Sequence, residues 1–191
     1  MINYPLFETT NCLLTEIDYD NDPEFDSQFT QDLRYARYWS TGLIKPLSKN
    51  EMKKNYEKLE KKMEEGRNRF HFAVRMKTDM RLIGFVGFDW VYWNDHCGDL
   101  RVAIGDGNYL GKVELELIQK LSYYGFHELN LHRIECYVSQ FETEMEKNLI
   151  NAGYLKEVTF REAEYFMNSY WDRYAYGILR TEWVQTMEAE S

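Results

Sequence analysis

A short polar segment holds the densest group of side chains that could do chemistry. Asp95, His96, Cys97 and Asp99 stand almost side by side in the chain. Carboxylate, imidazole and thiolate groups bind metal ions, and a thiol beside an imidazole can act as a nucleophile with its base. One turn with these residue types is more often a polar turn, and the four histidines show no metal-ligand spacing. We therefore predict no metal site, while a Cys97 nucleophile stays open, although no oxyanion hole or orienting third group can be named for it.

An aromatic run precedes this segment and could bind a ligand. Its members are Phe85, Phe88, Trp90, Tyr92 and Trp93. The run could line an apolar ligand slot, or it could pack in the core from a central strand, as large aromatic side chains commonly do. The core interpretation is the one we favour.

The composition predicts one folded domain over residues 1–191. Hydrophobic residues make up 44% of the chain and aromatic residues 16%, which is enough to fill a sizeable core. Lysine and arginine number 23 against 32 aspartates and glutamates. The resulting net charge of −9 argues against a surface that binds nucleic acid.

The cysteines and the apolar pattern bear on location. Cys12, Cys97 and Cys136 are odd in number and far apart, as expected for free thiols in a reducing compartment. No stretch approaches the ~20 apolar residues that span a bilayer, and residues 1–8 lack the basic start and apolar run of a signal peptide. We therefore expect a cytoplasmic protein with no membrane partner.

The elements that must position these side chains alternate between strands and helices. Period-two and apolar runs predict strands at residues 12–17, 70–76, 82–93, 99–104, 133–139, 154–158 and 170–179. Apolar residues at helical spacing predict helices at residues 25–38, 48–66, 115–127 and 142–152. Ser48 and Glu51 have the spacing of a capping box at the start of the second helix. This order predicts a mixed α/β domain.

Several landmarks, in this order, carry a resemblance to a known family. They are AIGDGNYLGK at residues 103–112, YGF at 124–126, NLHRI at 130–134, AGY at 152–154, and WD followed by YGILRTEW at 171–183. The chain resembles the GNAT superfamily of acyl-CoA-dependent N-acetyltransferases over residues 6–183, which leaves a short tail at 184–191. It is most similar to the branch that includes the ribosomal-protein N-terminal acetyltransferases and many small-molecule amine acetyltransferases.

The resemblance implies a fold, a reaction and partners. The implied fold is a single domain with a central, splayed, mostly antiparallel sheet flanked by helices. The implied reaction moves an acetyl group from acetyl-CoA to a primary amine of a small molecule or peptide. A homodimer or another protein partner is left open.

The resemblance also implies which residues hold the cofactor. In the family, a glycine-containing loop opens a helix, and its free amides bind the pyrophosphate of coenzyme A. Gly111, Lys112 and Val113 stand at this loop. A strand amide near Ala103 or Ile104 is expected to hold the oxyanion.

The loop departs from the family pattern at its key positions. Leu110 replaces the usual polar residue, and Val113 and Leu115 replace two small ones. Glu114 and Glu116 stand where a polyphosphate would meet the helix, and a carboxylate close to a phosphate is repelled by it. The sequence therefore predicts a degenerate loop that binds coenzyme A poorly.

The implied catalytic residues are also altered. Asp99 matches the position where many relatives have a base that acts through water, although a solvated strand-end carboxylate is the alternative. Glu142 and Leu149 stand where the family commonly has an asparagine and the tyrosine that protonates the thiolate. Leucine cannot donate a proton, and its helix face favours core packing. The phenols that could substitute are Tyr123, Tyr124 and Tyr137.

Two functions stay open on this basis. The first is an N-acetyltransferase that uses acetyl-CoA. The second is a protein that keeps the fold, binds no coenzyme A and acts as a binding or scaffold module. Because fold does not determine function, the altered loop and acid carry as much weight as the ancestry.

Overall fold

One seven-stranded sheet is the framework of the protein. The computed structural model describes residues 6–39 and 44–183, so the tail predicted at 184–191 lies outside the described residues. The strands are β1 (Cys12–Thr15), β2 (Phe70–Met76), β3 (Leu82–Tyr92), β4 (Cys97–Ile104), β5 (Arg133–Ser139), β6 (Leu155–Phe166) and β7 (Ser169–Leu179). They lie in the order β1-β2-β3-β4-β5-β7-β6.

Helices cover both faces of the sheet. They are α1 (Asp22–Phe29), α2 (Leu33–Trp39), α3 (Lys49–Gly66), α4 (Glu114–His127) and α5 (Thr143–Asn151). The larger core cluster includes Leu117 and Leu121 of α4 and Leu149 of α5. A second cluster includes Met52 and Tyr56 of α3. This arrangement confirms the predicted mixed α/β fold with a mostly antiparallel sheet.

The third helix begins as predicted. The Ser48 side chain accepts a hydrogen bond from the Glu51 amide, and the Glu51 carboxylate accepts one from the Ser48 amide. This reciprocal capping satisfies amide groups that the first turn leaves free. The helix ends where Arg67 adopts a left-handed conformation with φ of 48°.

The helix predicted at residues 25–38 was wrong as a single element. The structure has two helices there, because the Thr30 amide bonds back to the Asp26 and Gln28 carbonyls and closes α1. The Asp32 side chain then caps α2 by accepting a 2.8 Å hydrogen bond from the Arg34 amide. The predicted apolar face is broken as well, since Phe25 is exposed.

A buried carboxylate ties the first three helices together. Asp26 of α1 accepts a hydrogen bond of 2.7 Å from the hydroxyl of Tyr35 on α2. Its second oxygen accepts one of 2.7 Å from Tyr56 on α3. All three side chains are fully buried. A satisfied buried carboxylate of this kind fixes the relative position of the helices that it joins.

The last hairpin is longer than the sequence indicates. The strand predicted at residues 154–158 runs as β6 to Phe166 and pairs antiparallel with β7. Most of its residues are exposed, so its charged side chains hid the strand pattern. No helix in the described ranges is long and apolar enough to cross a membrane.

The parallel pair at the centre opens the sheet. β4 and β5 pair from Cys97 with Arg133 to Asp99 with Glu135. Beyond these residues β4 continues along β3, while β5 continues along β7. The two strands therefore diverge, and their separation creates the cleft in which the candidate site lies.

Candidate functional site

A cleft of about 910 Å³ opens where β4 and β5 separate. We call it the splay cleft. It is bounded by β4 residues 99–102, by Tyr137 and Ser139 of β5, by Arg34, Arg37 and Tyr38 of α2, and by β6 and β7. A smaller space of about 120 Å³ lies towards the first turns of α4 and α5. Concave sites with converging polar groups are the usual locations of substrate binding.

Asp99 lies at the point where the strands diverge. Burial, followed by the charge of the nearby Asp89 carboxylate, raises the pKa of its carboxyl to about 7, while the Arg101 guanidinium opposes the rise. A carboxyl with this pKa is partly protonated at neutral pH, so it can both accept and return a proton. Asp99 therefore lines the cleft with a pKa near neutrality, and its role as a base acting through water stays a prediction.

A β-bulge positions the charges around Asp99. Phe88 pairs with Leu100 and Trp90 pairs with Asp99, so Asp89 is the extra residue on β3. Its carboxylate forms an ion pair with Arg101. Bulges of this kind redirect a side chain beside a functional site. Sequence reasoning missed Asp89, and no local pattern marks it.

The loop before α4 has an internal anion. Gly111 adopts a φ of 75°, which favours glycine, and its amide donates a 2.7 Å hydrogen bond to the Glu114 carboxylate. Glu114 is the first residue of α4 and is only 4% exposed. A carboxylate at a helix N-terminus is stabilised by the free amides and the helix dipole. The same amides are the group that the family offers to a pyrophosphate.

The other oxygen of Glu114 is unusual. Its Oε2 is buried and has no hydrogen-bond partner among the described residues. The Glu116 carboxylate, which we expected beside it, turns away and accepts hydrogen bonds from the amide of Asn11 and the thiol of Cys12. The expectation that both glutamates face the loop was therefore wrong for Glu116.

The bulky loop residues serve the core. Val113 is buried in the main cluster, and Leu115 packs against it. Lys112 is exposed, and its amide bonds to the Tyr109 carbonyl. The side chain that fills the loop is thus that of Glu114.

The two strand residues expected near the oxyanion differ in position. Ala103 pairs with Phe85 and Ile104 pairs with Gly84, and both are buried. Ile104 borders the small space near α4, whereas the large cleft is bordered by residues 99–102 of the same strand.

The family's asparagine and tyrosine positions are structural here. Glu142 is the N-cap residue of α5 and accepts hydrogen bonds from the Ser139 amide at 3.1 Å and the Tyr38 hydroxyl at 2.9 Å. Burial raises the pKa of its carboxyl. Leu149 is fully buried in the core, as its helix face indicated.

Of the three candidate phenols, Tyr137 is the one that lines the splay cleft. Burial, followed by the charge of Glu135, raises the pKa of its hydroxyl. The phenol therefore keeps its proton at neutral pH. Tyr124 packs against Phe70 and Phe72 instead, and Tyr123 stacks on His127 of the same helix.

The polar turn gives no sign of catalysis. Burial, followed by the charge of Glu135, raises the pKa of the Cys97 thiol to about 11, so it is a weak nucleophile at neutral pH. The described residues hold no group of three or more His, Cys, Asp or Glu side chains arranged to bind a metal ion.

The aromatic run divides between core and surface. Phe85 and Phe88 are buried, as the core interpretation predicts. Trp90, Tyr92 and Trp93 are exposed, so that interpretation was wrong for them. They lie at the end of the β3–β4 hairpin, outside the splay cleft.

Comparison with known proteins supports the ancestry indicated by this geometry. Residues 12–154 match the model of the acetyltransferase (GNAT) domain. An uncharacterized N-acetyltransferase, YnaD of Bacillus subtilis, is 30% identical over 125 residues, which are 62% of this chain and 69% of YnaD.

Solved structures share the fold. A spermidine N-acetyltransferase from Vibrio cholerae, in complex with CoA and spermine, superposes with a TM-score of 0.75 at 19% identity and covers 91% of this chain and 98% of its own. A GNAT-family acetyltransferase from Bacillus anthracis gives 0.71 at 20% identity, with 92% and 99% covered. With the domain match over most of the sequence and the splayed sheet, the chain belongs to the GNAT acetyltransferase family.

Proposed function

We propose that the protein transfers an acetyl group from acetyl-CoA to a primary amine of a small molecule or peptide. The observation that carries the proposal is Asp99, a carboxyl with a pKa of about 7 at the divergence of β4 and β5. Acyl transfer to an amine needs a base that removes the ammonium proton, and the best base has a pKa near the working pH. Family membership supplies the reaction class.

Whether coenzyme A fits is decided at the loop before α4. Gly111 already has the left-handed backbone that exposes loop amides, and Lys112 is free to meet a phosphate charge. The Glu114 carboxylate occupies the Gly111 amide. The loop therefore fits the cofactor only when the Glu114 side chain releases the Gly111 amide.

We assign the proton transfers and the stabilisation of the oxyanion to residues of this chain. Bound acetyl-CoA supplies the acetyl group as a thioester, whose C–S bond breaks as the amine forms the new C–N bond. Asp99 accepts the amine proton through a water molecule. A backbone amide near Ala103 or Ile104 stabilises the developing oxyanion. Tyr137 lies in the same cleft and still carries its proton at neutral pH, so we assign it the role of proton donor to the thiolate in place of Leu149.

One observation favours the second candidate function, a binding module without cofactor. The bond between Glu114 and the Gly111 amide places an internal anion where a pyrophosphate would bind. If the carboxylate never leaves, acetyl-CoA has no access to these amides. The two functions therefore differ in whether the cofactor can displace Glu114.

Calorimetric titration of the full chain with acetyl-CoA tests the proposal. We expect binding with a measurable heat, and release of free coenzyme A when a mixture of primary amines is added. Asp99→Asn should retain binding and lose transfer. Absence of heat at millimolar acetyl-CoA, for both the natural chain and Glu114→Ala, would refute the enzyme and leave the binding module.

Finer assignments accompany this proposal. We propose that the domain core spans residues 6–183 and that the protein belongs to the ribosomal-protein branch of the family. The three cysteines, all unpaired, are compatible with a reducing cytoplasm. A homodimer remains a further proposal, which sedimentation of the purified chain tests directly.

A further inference from the structure

Arginines dominate the cationic side chains of the splay cleft. In the part of the chain that the structure describes, Arg34, Arg37, Arg101 and Arg173 border the cleft and no lysine does. The chain as a whole carries a net charge of −9. Four guanidinium groups in one cleft of an acidic protein suggest that an anion is bound there.

Two of these arginines share one carboxylate. Arg37 of α2 and Arg173 of β7 approach the two oxygens of Glu164 at 3.6 Å and 3.8 Å. Both distances exceed the length of a hydrogen bond. Three carboxyl groups, Asp99, Glu142 and Glu164, border the cleft beside the four guanidinium groups, so the lining keeps a surplus of one positive charge when all three are ionised.

The guanidinium group of Arg173 is held in place, although it donates no hydrogen bond to the described residues. Its guanidinium group lies over the Tyr137 ring, 4.7 Å from the centroid. Among the described residues it has no hydrogen-bond acceptor, and its side chain is 44% exposed and borders the cleft. A planar guanidinium fixed by stacking is suited to bidentate binding of a carboxylate or phosphate.

The remaining cleft arginines are engaged with their neighbours. Arg101 pairs with Asp89 and donates to the Tyr38 carbonyl. Arg34 pairs with Asp32 at 3.2 Å, and Arg37 donates a 3.2 Å hydrogen bond to the Tyr165 carbonyl. This contrast singles out Arg173 as the guanidinium that is available to a ligand.

The sheet register places Arg173 on the face that carries Asp99. Arg173 is opposite Ser139 on β5, and Asp99 is opposite Glu135 of the same strand. Ser139 and Glu135 are four residues apart, so their side chains point to the same face. Both side chains border the splay cleft, and the charge of Arg173 opposes the rise in the pKa of Asp99.

We propose that the acceptor is a primary amine that also carries a carboxylate or phosphate group, and that Arg173 binds this anion while the amine lies towards Asp99. The inference rests on the proposed function for the role of the amine. The binding of the anion can be measured without any acetyl transfer. The proposal excludes polyamines such as spermidine, which carry no anion.

The test compares matched amines by calorimetry with the full chain and no cofactor. Phenylalanine is compared with phenethylamine, and O-phosphoethanolamine with ethanolamine, so that the two pairs distinguish a carboxylate from a phosphate. We expect at least one anionic member to bind about tenfold or more tightly than its partner, as one charge-assisted hydrogen bond would give. Spermidine should bind no better than ethanolamine.

Variants assign the preference to Arg173. Arg173→Gln should abolish the difference within the preferred pair, and Arg173→Lys should restore part of it because it keeps the charge without the planar fork. Arg161→Gln, on exposed β6, is the matched control and should leave the difference unchanged.

The outcomes separate the two proposals. Equal binding of both members of each pair, an unchanged preference in Arg173→Gln, or no binding of any probe at millimolar concentration would overturn the anion site. Anion-dependent binding without acetyl transfer to any amine would refute the proposed enzyme while the anion site stands.

Discussion

Replacing Glu114 by alanine should increase the affinity for acetyl-CoA. In the natural chain the Glu114 carboxylate is bonded to the Gly111 amide at 2.7 Å and is almost completely buried. The pyrophosphate has to take over that amide. Removing the carboxylate frees the amide and removes a like charge at the same time.

The expected gain in affinity for acetyl-CoA can be worked out for two cases, in which the Glu114 side chain either stays at the Gly111 amide or turns away from it. If the carboxylate stays, its repulsion of a phosphate at about 5 Å costs about 3 kcal/mol at an effective dielectric constant near 20. If it turns away, it loses a charge-assisted hydrogen bond of about 1.5–3 kcal/mol. The two routes together predict that Glu114→Ala binds acetyl-CoA about 10- to 150-fold more tightly than the natural chain.

Calorimetry with two companion variants checks this reasoning. Glu114→Gln keeps an acceptor for the Gly111 amide but removes the charge, so its affinity should lie between the natural chain and the alanine variant. Glu116→Ala removes the same charge from the same helical turn, but its side chain faces Asn11 and Cys12. If Glu116→Ala gains as much affinity as Glu114→Ala, overall charge controls binding and the occupied amide is irrelevant.

Two further predictions concern buried charges. Asp99 has a folded-state pKa of about 7 against 3.8 in the unfolded chain, so its ionisation destabilises the fold as the pH rises through 7. Asp99→Asn should therefore raise the melting temperature at pH 8 and leave it nearly unchanged at pH 4. In the natural chain, kcat/KM should increase with pH up to about 7, because the base must lose its proton to act. Asp22, which is 1% exposed, pairs with Arg75 at 2.8 Å, and Asp22→Ala should lower the free energy of unfolding by about 3–5 kcal/mol in urea titrations. The exposed pair between Asp20 and Lys53 is the control, and Asp20→Ala should leave unfolding unchanged.

Local patterns predicted most of the framework. Strands β2 and β5 have the bounds that their apolar runs indicated, and the capping box of α3 is formed. These features depend on neighbouring residues and on periodicity, which a sequence contains directly. The resemblance to the GNAT superfamily then predicted the splayed sheet.

Features that depend on distant contacts were not predictable in this way. Asp26 looks like any helix-surface carboxylate until Tyr35 and Tyr56 are brought to it from two other helices. The bulge at Asp89 depends on the register of β4 against β3. Trp90 is exposed near the end of the β3–β4 hairpin, where Arg69 lies over its ring, and its hydrophobicity alone predicts the opposite.

The direction of the two loop glutamates illustrates the same limit. Glu114 and Glu116 are chemically identical, but residues two apart in a helix point about 200° away from each other. Which one faces the loop depends on where α4 begins. Sequence patterns locate the end of a helix only to within one or two residues. They therefore placed both glutamates at the loop and could not tell which one faces it.

The single buried aspartate that joins three helices has an evolutionary consequence. The wall that carries Arg34 and Arg37 is attached through two tyrosines of α2, whereas the catalytic candidates stand on the strands. The hydroxyl of Tyr35 bonds to Asp26, and Tyr38 bonds to Glu142 and Arg101. Substitutions at Arg34 and Arg37 can therefore change the charge of this wall while the bonds of Tyr35 and Tyr38 are kept. A fold assembled in this manner can change the charge and shape of one wall of its cleft through one short helix, while Asp99, Tyr137 and Arg173 on the strands are retained.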